Sequence, residues 1–273
     1  MSVATELKER IEDFLVDPRK YMSQLSQDQC DELLENFGKG CEEAFIKQFM
    51  AEPRSGKPSA SSLGKCARQL AYQYHGFEGE PMTAQKKMTF FTGDLLEAAI
   101  YAICEAAGWK ILDIQKRTTV GDIGGSIDGK ANPDTLVDIK TASKAAAAIA
   151  ERTGVTDGFG YLTQMQIYRE GEGVKDAFWL YVCKDNGKIS VHEAEDMPDL
   201  VTMAKSKYDF ILASTPDRLP PRPHALEINK KTKRSCLPFN CAYCDYKEHC
   251  WVITDKGEGY NNSVVYHATE PRD

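Results

Sequence analysis

Long apolar runs are missing from this sequence. No stretch of its 273 residues approaches the ~20 apolar residues that span a bilayer, so a helical membrane protein is not expected. The opening stretch MSVATELKERIEDF is charged from Glu6 onward and lacks the apolar segment of a secretory leader. A basic excess is missing too. Lys and Arg number 34 against 41 Asp and Glu, a net charge of −7. That excludes a protein that merely coats nucleic acid, though not an enzyme with a local basic groove. No internal repeat is present, and no low-complexity tract beyond the alanines at 145–148. What is left is an ordinary globular composition, long enough to bury a sizeable core and expected in a reducing cytosol.

Cysteine is not scarce. There are nine, and three crowd into NCAYCDYKEHC, from Asn240 to Cys250, with spacing C-x2-C-x5-C. In a reducing compartment such a cluster points to metal or catalysis rather than to disulfides. Two readings of the tail follow. Cys236, Cys241, Cys244 and Cys250, with His249 as a further candidate, would make a local zinc site. Alternatively, the fourth thiolate comes from elsewhere in the chain. Zinc and iron–sulfur centres both accept four thiolates, so spacing alone does not separate them. The remaining Cys30, Cys41, Cys104 and Cys183 read as small buried hydrophobes.

The pattern of elements is mixed. Residues 2–50 read as helices: Leu7, Ile11, Phe14 and Leu15 share one face, and Ser26 with Gln29 has capping-box spacing. EPRSGKPSASS is a loop and a candidate boundary. A helix carrying Cys66 follows, then one from Thr92 to Ala107 ended by Gly108. The period then changes. ILDIQKRTTV, GGSIDGKA and TLVDIKTA read as three short strands. Helices are expected at SKAAAAIAER and around YLTQMQIYRE, a hairpin turning at Asp185–Lys188, and a final helix at MPDLVTMAKSKYDFILAS.

The chemistry concentrates on the strands. Alternate residues of a strand share a face, so Asp138 and Lys140 project together while Ile139 points into the core. Two carboxylates, Asp128 and Asp138, beside a lysine are costly to bury without compensation. A hard divalent cation, Mg²⁺ or Mn²⁺, supplies it. The bland alternative is a surface ion pair between Asp138 and Lys140.

Four elements occur in order: Gly93 with Glu97, Gly125 with Asp128, Asp138 with Lys140, and Gln164 with Tyr168 one helical turn on. This set resembles the RecB-type nucleases of the PD-(D/E)XK superfamily, whose pattern is G-x3-[HE], G-x-x-D, D-x-K and Q-x3-Y. Glu97 stands where many relatives have histidine, which favours a harder cation. The tail spacing is similar to the iron–sulfur subset of that superfamily, the CRISPR-associated and phage exonucleases and the nuclease domain of AddB. There a single upstream cysteine in a C-x-R-x3-Y context completes the site. Cys66, Arg68 and Tyr72 match it.

The resemblance covers roughly residues 60–253. It implies an α/β, restriction-endonuclease-like mixed sheet flanked by helices. The chain would divide into a helical N-terminal extension (1–55), a nuclease core (56–235) and a cysteine-rich tail (236–273). It implies a metal-dependent DNA exonuclease acting on DNA ends or single strands. One or two Mg²⁺ or Mn²⁺ ions would be held by Glu97, Asp128, Asp138 and the Ile139 carbonyl, with Lys140, Gln164 and Tyr168 serving the reaction. A [4Fe–4S] cluster would be held by Cys66, Cys241, Cys244 and Cys250. The competing reading is a non-catalytic DNA-binding or assembly protein with structural zinc in the tail. Candidate phosphate contacts are Lys65, Arg68, Lys86, Lys87, Lys144 and the run Lys230, Lys231, Lys233 and Arg234. Tyr72, Tyr74 and Phe77 are candidate base-stacking rings, with core packing the alternative for at least two of them.

Overall fold

The computed structural model describes residues 1–51, 56–258 and 264–270. The helical N-terminus consists of α1 (Val3–Val16), α2 (Pro18–Met22) and α3 (Gln27–Phe45), continued by a π-helical turn at Ile46–Met50. The capping box forms as expected: Ser26 accepts from Gln29 N, and the Gln29 side chain accepts from Ser26 N. Helix α1 lies against the sheet, burying Ala4, Leu7 and Ile11 in its core. Helix α4 (Ala67–Tyr74) begins immediately after Cys66.

Helix α5 runs from Ala84 to Ala106, eight residues longer at its start than the pattern indicates. Thr83 caps it by accepting from Lys86 N, a signal hidden among flanking polar residues. Its end is the expected one, with Gly108 at a φ of +76°.

The strand region divides more finely than the sequence indicates. Strands β1 (Arg117–Val120) and β2 (Ile123–Ser126) form a hairpin. Strands β3 (Gly129–Asn132), β4 (Thr135–Ala142), β5 (Asp176–Cys183) and β6 (Ile189–Glu193) form the central sheet in that order. β4 and β5 are parallel, and the two outer pairings are antiparallel. The segment before Arg117 is not strand, because Asp113 and Gln115 both take a φ of +53°, and alternate residues cannot then continue a pleat. GGSIDGKA is cut at Ile127–Asp128, which leaves Asp128 between two strands. The β5–β6 turn falls at Asp185–Lys188 as expected, with Gly187 at a φ of +72°.

Side-chain alternation along β4 and β5 builds two cores. Val137, Ile139, Phe178, Leu180 and Val182 face α1 and α5. Leu136, Ala142, Trp179 and Tyr181 face α7 (Tyr161–Glu172) and α8 (Pro198–Leu212), with α6 (Lys144–Thr153) over the strand ends. Each fully buried aliphatic side chain contributes ~1.5–3 kcal/mol. The result is a mixed sheet between helices, the restriction-endonuclease-like architecture, with a helical N-terminus. Among the described residues no helix is long and apolar enough to cross a membrane.

The tail is more than a cysteine loop. It forms a second sheet in the order β7 (Glu227–Ile228), β8 (Ser235–Cys236), β10 (Val264–Thr269), β9 (Val252–Glu258). Leu237, Trp251 and Ala268 make its own small core. Helices α9 (Phe239–Ala242) and α10 (Lys247–Cys250) carry the clustered thiols.

Candidate active site and cysteine cluster

Because Ile139 is drawn into the core facing α1 and α5, Asp138 and Lys140 emerge together on the opposite face, beside Trp179 and Tyr181 of β5. Lys140 Nζ stands 2.6 Å from Asp138 Oδ2, and the Asp138 side chain is only 4% exposed. This is a buried pair, not the surface ion pair of the bland reading. Neither Asp138 oxygen has a hydrogen-bond partner of acceptable geometry. The lysine supplies charge at short range while the lone pairs lack properly aimed donors, a costly state for a buried carboxylate.

Asp128 closes on the same strand. β3 stops pairing with β4 at Val137, and the next free donor, Ile139 N, donates to Asp128 Oδ2 at 2.8 Å. Burial and then the charge of Asp138 hold the Asp128 carboxyl well above the ordinary aspartate range, with Lys140 opposing. Burial works against the Lys140 ammonium, but Asp138 and Asp128 together hold its pKa above the usual lysine value.

Glu97 approaches from α5. Its Oε1 is 2.8 Å from the Tyr101 hydroxyl and accepts from Gln115 Nε2 at 2.7 Å. The same hydroxyl lies 2.7 Å from the Asp128 carbonyl oxygen, so Tyr101 ties Glu97 to the Asp128 loop. Burial raises the Glu97 carboxyl, and these hydrogen bonds partly oppose it. A cleft of about 560 Å³ opens between α3 and α5 with Glu97, Tyr101 and Gln115 on its wall, a ligand-sized volume.

On the far side, Gln164 Nε2 donates to the Tyr168 hydroxyl at 3.2 Å, and Tyr168 is buried against Gly125. Burial pushes Tyr168 up to about 12. Gly93 lies close to Thr141, where a Cβ would meet Oγ1 at 3.2 Å. All four sequence elements therefore converge on one end of β4.

Three neighbours escaped the sequence reading. Tyr101 sits four residues after Glu97 on the same helix, a spacing that was there to be read. Gln115 reaches Glu97 from a left-handed loop conformation, for which the sequence carries no signal. Tyr161 places its ring under Lys140, 5.1 Å from Nζ, because the left-handed Gly160 starts α7 at that point.

The thiols divide cleanly. Burial pushes Cys241 up to about 11 and Cys244 up to about 12 and raises Cys250, and the charge of Cys66 adds to each. Cys66 thus lies within electrostatic reach of all three tail thiols. Tyr72 ties the same elements together, donating to the His249 carbonyl at 3.0 Å, with Cys250 Sγ 3.9 Å away. Cys236 is elsewhere. It is buried in β8 opposite His267 and Glu227, and no thiol acts on it. His249 turns its ring to the Glu78 carbonyl at 2.7 Å. Cys104 and Cys183 are buried as expected, whereas Cys30 and Cys41 are only half-buried.

Both donor sets fit their expected groups chemically: hard carboxylates beside the strand end, soft thiolates in the tail. Among the described residues no group of three or more His, Cys, Asp or Glu side chains is already arranged to hold a metal ion.

Several expected DNA contacts have other work. Arg68 donates to the Pro220 carbonyl at 2.8 Å and to Tyr72. Lys86 is paired with Asp245 at 2.7 Å, and Arg234 with Asp255 at 2.9 Å. Tyr72 is buried and packs against Phe77, Tyr246 and His249, so Tyr72 serves the junction with the tail and not a base. Tyr74 packs against the main core. Lys65, Lys87, Lys144, Lys230, Lys231 and Lys233 remain exposed.

No protein-family model matches the sequence, and no curated protein matches it either. Among solved structures, the chain is similar to the protein SSO0001, with 15% identity over 78% of this chain and 95% of that one and a TM-score of 0.48. It is also similar to an alkaline exonuclease of Laribacter hongkongensis, solved alone and with dAMP. There the identity is 20% and 19%, the coverage 63% of this chain and 91% of that one, and the TM-score 0.45. A phage-related exonuclease from Haemophilus somnus 129PT shows 17% identity over 62% and 89% of the two chains, with a TM-score of 0.36. These likenesses are distant; the chemistry is decided by this chain's own side chains.

Proposed function

We propose that the chain is a metal-dependent deoxyribonuclease that hydrolyses phosphodiester bonds at DNA ends or in single strands. The observation that carries this reading is Asp138: a buried carboxylate with no properly aimed hydrogen-bond donor, sharing one strand end with Asp128 and Lys140.

Asp138, Asp128, Glu97 and the Ile139 carbonyl would hold one or two Mg²⁺ or Mn²⁺ ions. A bound ion of this kind polarises a phosphoryl oxygen and makes water a better nucleophile near neutral pH. Lys140, held between two carboxylates, is positioned to orient an attacking water or to stabilise negative charge growing on the phosphate. Tyr161 beneath Lys140 and the Gln164–Tyr168 pair restrict how that ammonium can move. Tyr101 and Gln115 fix the rotamer of Glu97. The exposed lysines near the strand end, Lys65 and Lys144, supply backbone attraction that the acidic chain otherwise lacks.

The four thiols Cys66, Cys241, Cys244 and Cys250 would hold an iron–sulfur cluster, most simply [4Fe–4S], that fastens the tail sheet to α4. Structural zinc is the competing occupant, and Cys236 stands apart from either. The function is tested on end-labelled single- and double-stranded DNA in Mn²⁺ and in chelator. Cleavage in Mn²⁺ alone is expected. Binding without cleavage under any divalent ion would favour the assembly reading.

A further inference from the structure

A line of aromatic rings leads away from the catalytic lysine. Tyr161 lies under Lys140. Phe159 follows at a ring separation of 5.9 Å, then Phe239 at 6.1 Å, then Tyr243 at 4.9 Å. The outer three are 52%, 58% and 63% exposed. Single exposed rings are ordinary in a folded chain, but a contiguous row of them marks an interaction surface.

The row is assembled from two distant segments. Asp157–Phe159 is a single 3₁₀ turn before α7, and Phe239 opens α9. Cys241 lies between Phe239 and Tyr243 in the chain, so whatever fastens the thiols also fixes these two rings opposite Phe159. Two lysines flank the row. Gly64 packs directly on Gly160, where a Cβ on Gly64 would meet the Gly160 Cα at 2.0 Å. The next residue, Lys65, is exposed by surface area although its surroundings lower its ammonium pKa by desolvation, and it lies beside Asp245 and Cys244, so it stands between the two halves of the row. Lys207 holds this loop, donating to the carbonyls of Leu63 at 2.7 Å and Lys65 at 3.2 Å.

We propose that Phe159, Phe239 and Tyr243 form a stacking strip for consecutive unpaired bases of a single DNA strand that continues to Lys140. This rests on the nuclease reading and adds to it the place where the strand lies. The occupant is single-stranded because a π-face offered to solvent stacks any unpaired base, whereas bases in a duplex are already stacked. The strip is continuous with the candidate active site through Tyr161, and Lys65 supplies the cation that a phosphate beside it requires. The cysteine tail then becomes part of the substrate surface as well as a structural anchor.

The test is binding of fluorescein-labelled oligothymidylate and of a blunt duplex to the full chain in Ca²⁺, so that cleavage is not read. Leucine is substituted because it keeps apolar volume and removes the π-face. Phe159→Leu, Phe239→Leu and Tyr243→Leu should each weaken single-strand binding by at least about fivefold, with duplex binding and melting temperature unchanged. Tyr243→Phe should bind like the parent. Leucine variants that bind oligothymidylate as tightly as the parent would overturn the strip, and so would equal weakening for both DNAs. A chain that shows the expected pattern but never cleaves loses the nuclease reading and keeps the strip. A chain that cleaves while the leucine variants bind normally keeps the nuclease reading and loses the strip.

Discussion

Gly125 gives way to Tyr168: a Cβ on the glycine would stand 2.7 Å from Tyr168 Cε1 and 3.0 Å from its hydroxyl. Two residues that read in the sequence as separate motifs are therefore one packed contact. Gly125→Ala forces the ring to move, at about 1–3 kcal/mol for overpacking. The expected outcome is a lower urea midpoint together with a loss of cleavage larger than the stability change explains. Tyr168→Ala removes a buried ring and should itself cost about 3–5 kcal/mol, so the double variant stays below the parent. Its loss should be smaller than the sum of the two single losses, because the ring and the added Cβ no longer collide. Additive losses in urea unfolding would contradict this contact.

Asp128→Asn keeps an oxygen that can accept from Ile139 N and removes a carboxyl whose ionised form burial and Asp138 both disfavour. In chelator the variant should melt several degrees above the parent, and its cleavage in Mn²⁺ should vanish. Thermal melts in chelator and in Mn²⁺ read both effects. A variant less stable than the parent in chelator would mean that the carboxylate crowding is not real.

Glu172, at the end of α7, gives a pH signature of its own. It accepts from Lys130 at 2.8 Å and Lys116 at 2.9 Å, and its side chain is 4% exposed. Burial opposes its ionisation, but the lysines and Thr118 outweigh it and hold the carboxyl at about 2. A carboxyl lowered in the folded chain stabilises fully above its unfolded value, and that contribution is lost as pH falls through the folded one. Glu172→Gln should therefore cost about 1–2 kcal/mol at neutral pH, less than the full shift because solvent screens the half-exposed Lys116. The gap to the parent should close as pH drops from about 4.5 to about 2. Urea unfolding along that range measures it, and a gap that stays constant assigns the titration to another group.

For the tail, Cys66→Ser should release iron and sulfide as completely as Cys241→Ser, Cys244→Ser or Cys250→Ser, because a cluster short of one thiolate leaves iron open to solvent. Cys236→Ser should retain both. Iron, zinc and sulfide analysis of anaerobically purified variants decides between the occupants. One equivalent of zinc with no iron would assign the site to structural zinc.

The site proved more legible in the sequence than its surroundings. Asp138 and Lys140 could be placed because strand alternation is a short-range rule, and Ile139 duly faces the core. Whether Tyr72, Arg68 and Phe77 pack inside or face a strand could not be read from the sequence, because exposure depends on what folds over them, and the residues that do, Pro220, Tyr246 and His249, are distant in the chain. That sheet was missed although VITDKGEGYNNSVVYHAT has β-branched residues on both sides of Gly and Asn. Its first two strands are only two residues each, too short for side-chain alternation to show. Gln115 and Tyr161 joined the site through left-handed backbone at Gln115 and Gly160, which single-sequence patterns do not encode. The aromatic row was illegible for the same reason as the tail sheet: Phe159 and Phe239 meet only after both segments fold.

Hydrolysis at the Asp138–Lys140 strand end is measured most directly by cleavage of end-labelled DNA in Mn²⁺ by purified Asp138→Ala and Lys140→Ala, each checked for a cooperative melt. The parent should cleave, and both folded variants should lose cleavage by orders of magnitude. Undiminished cleavage by either folded variant would contradict hydrolysis at this strand end.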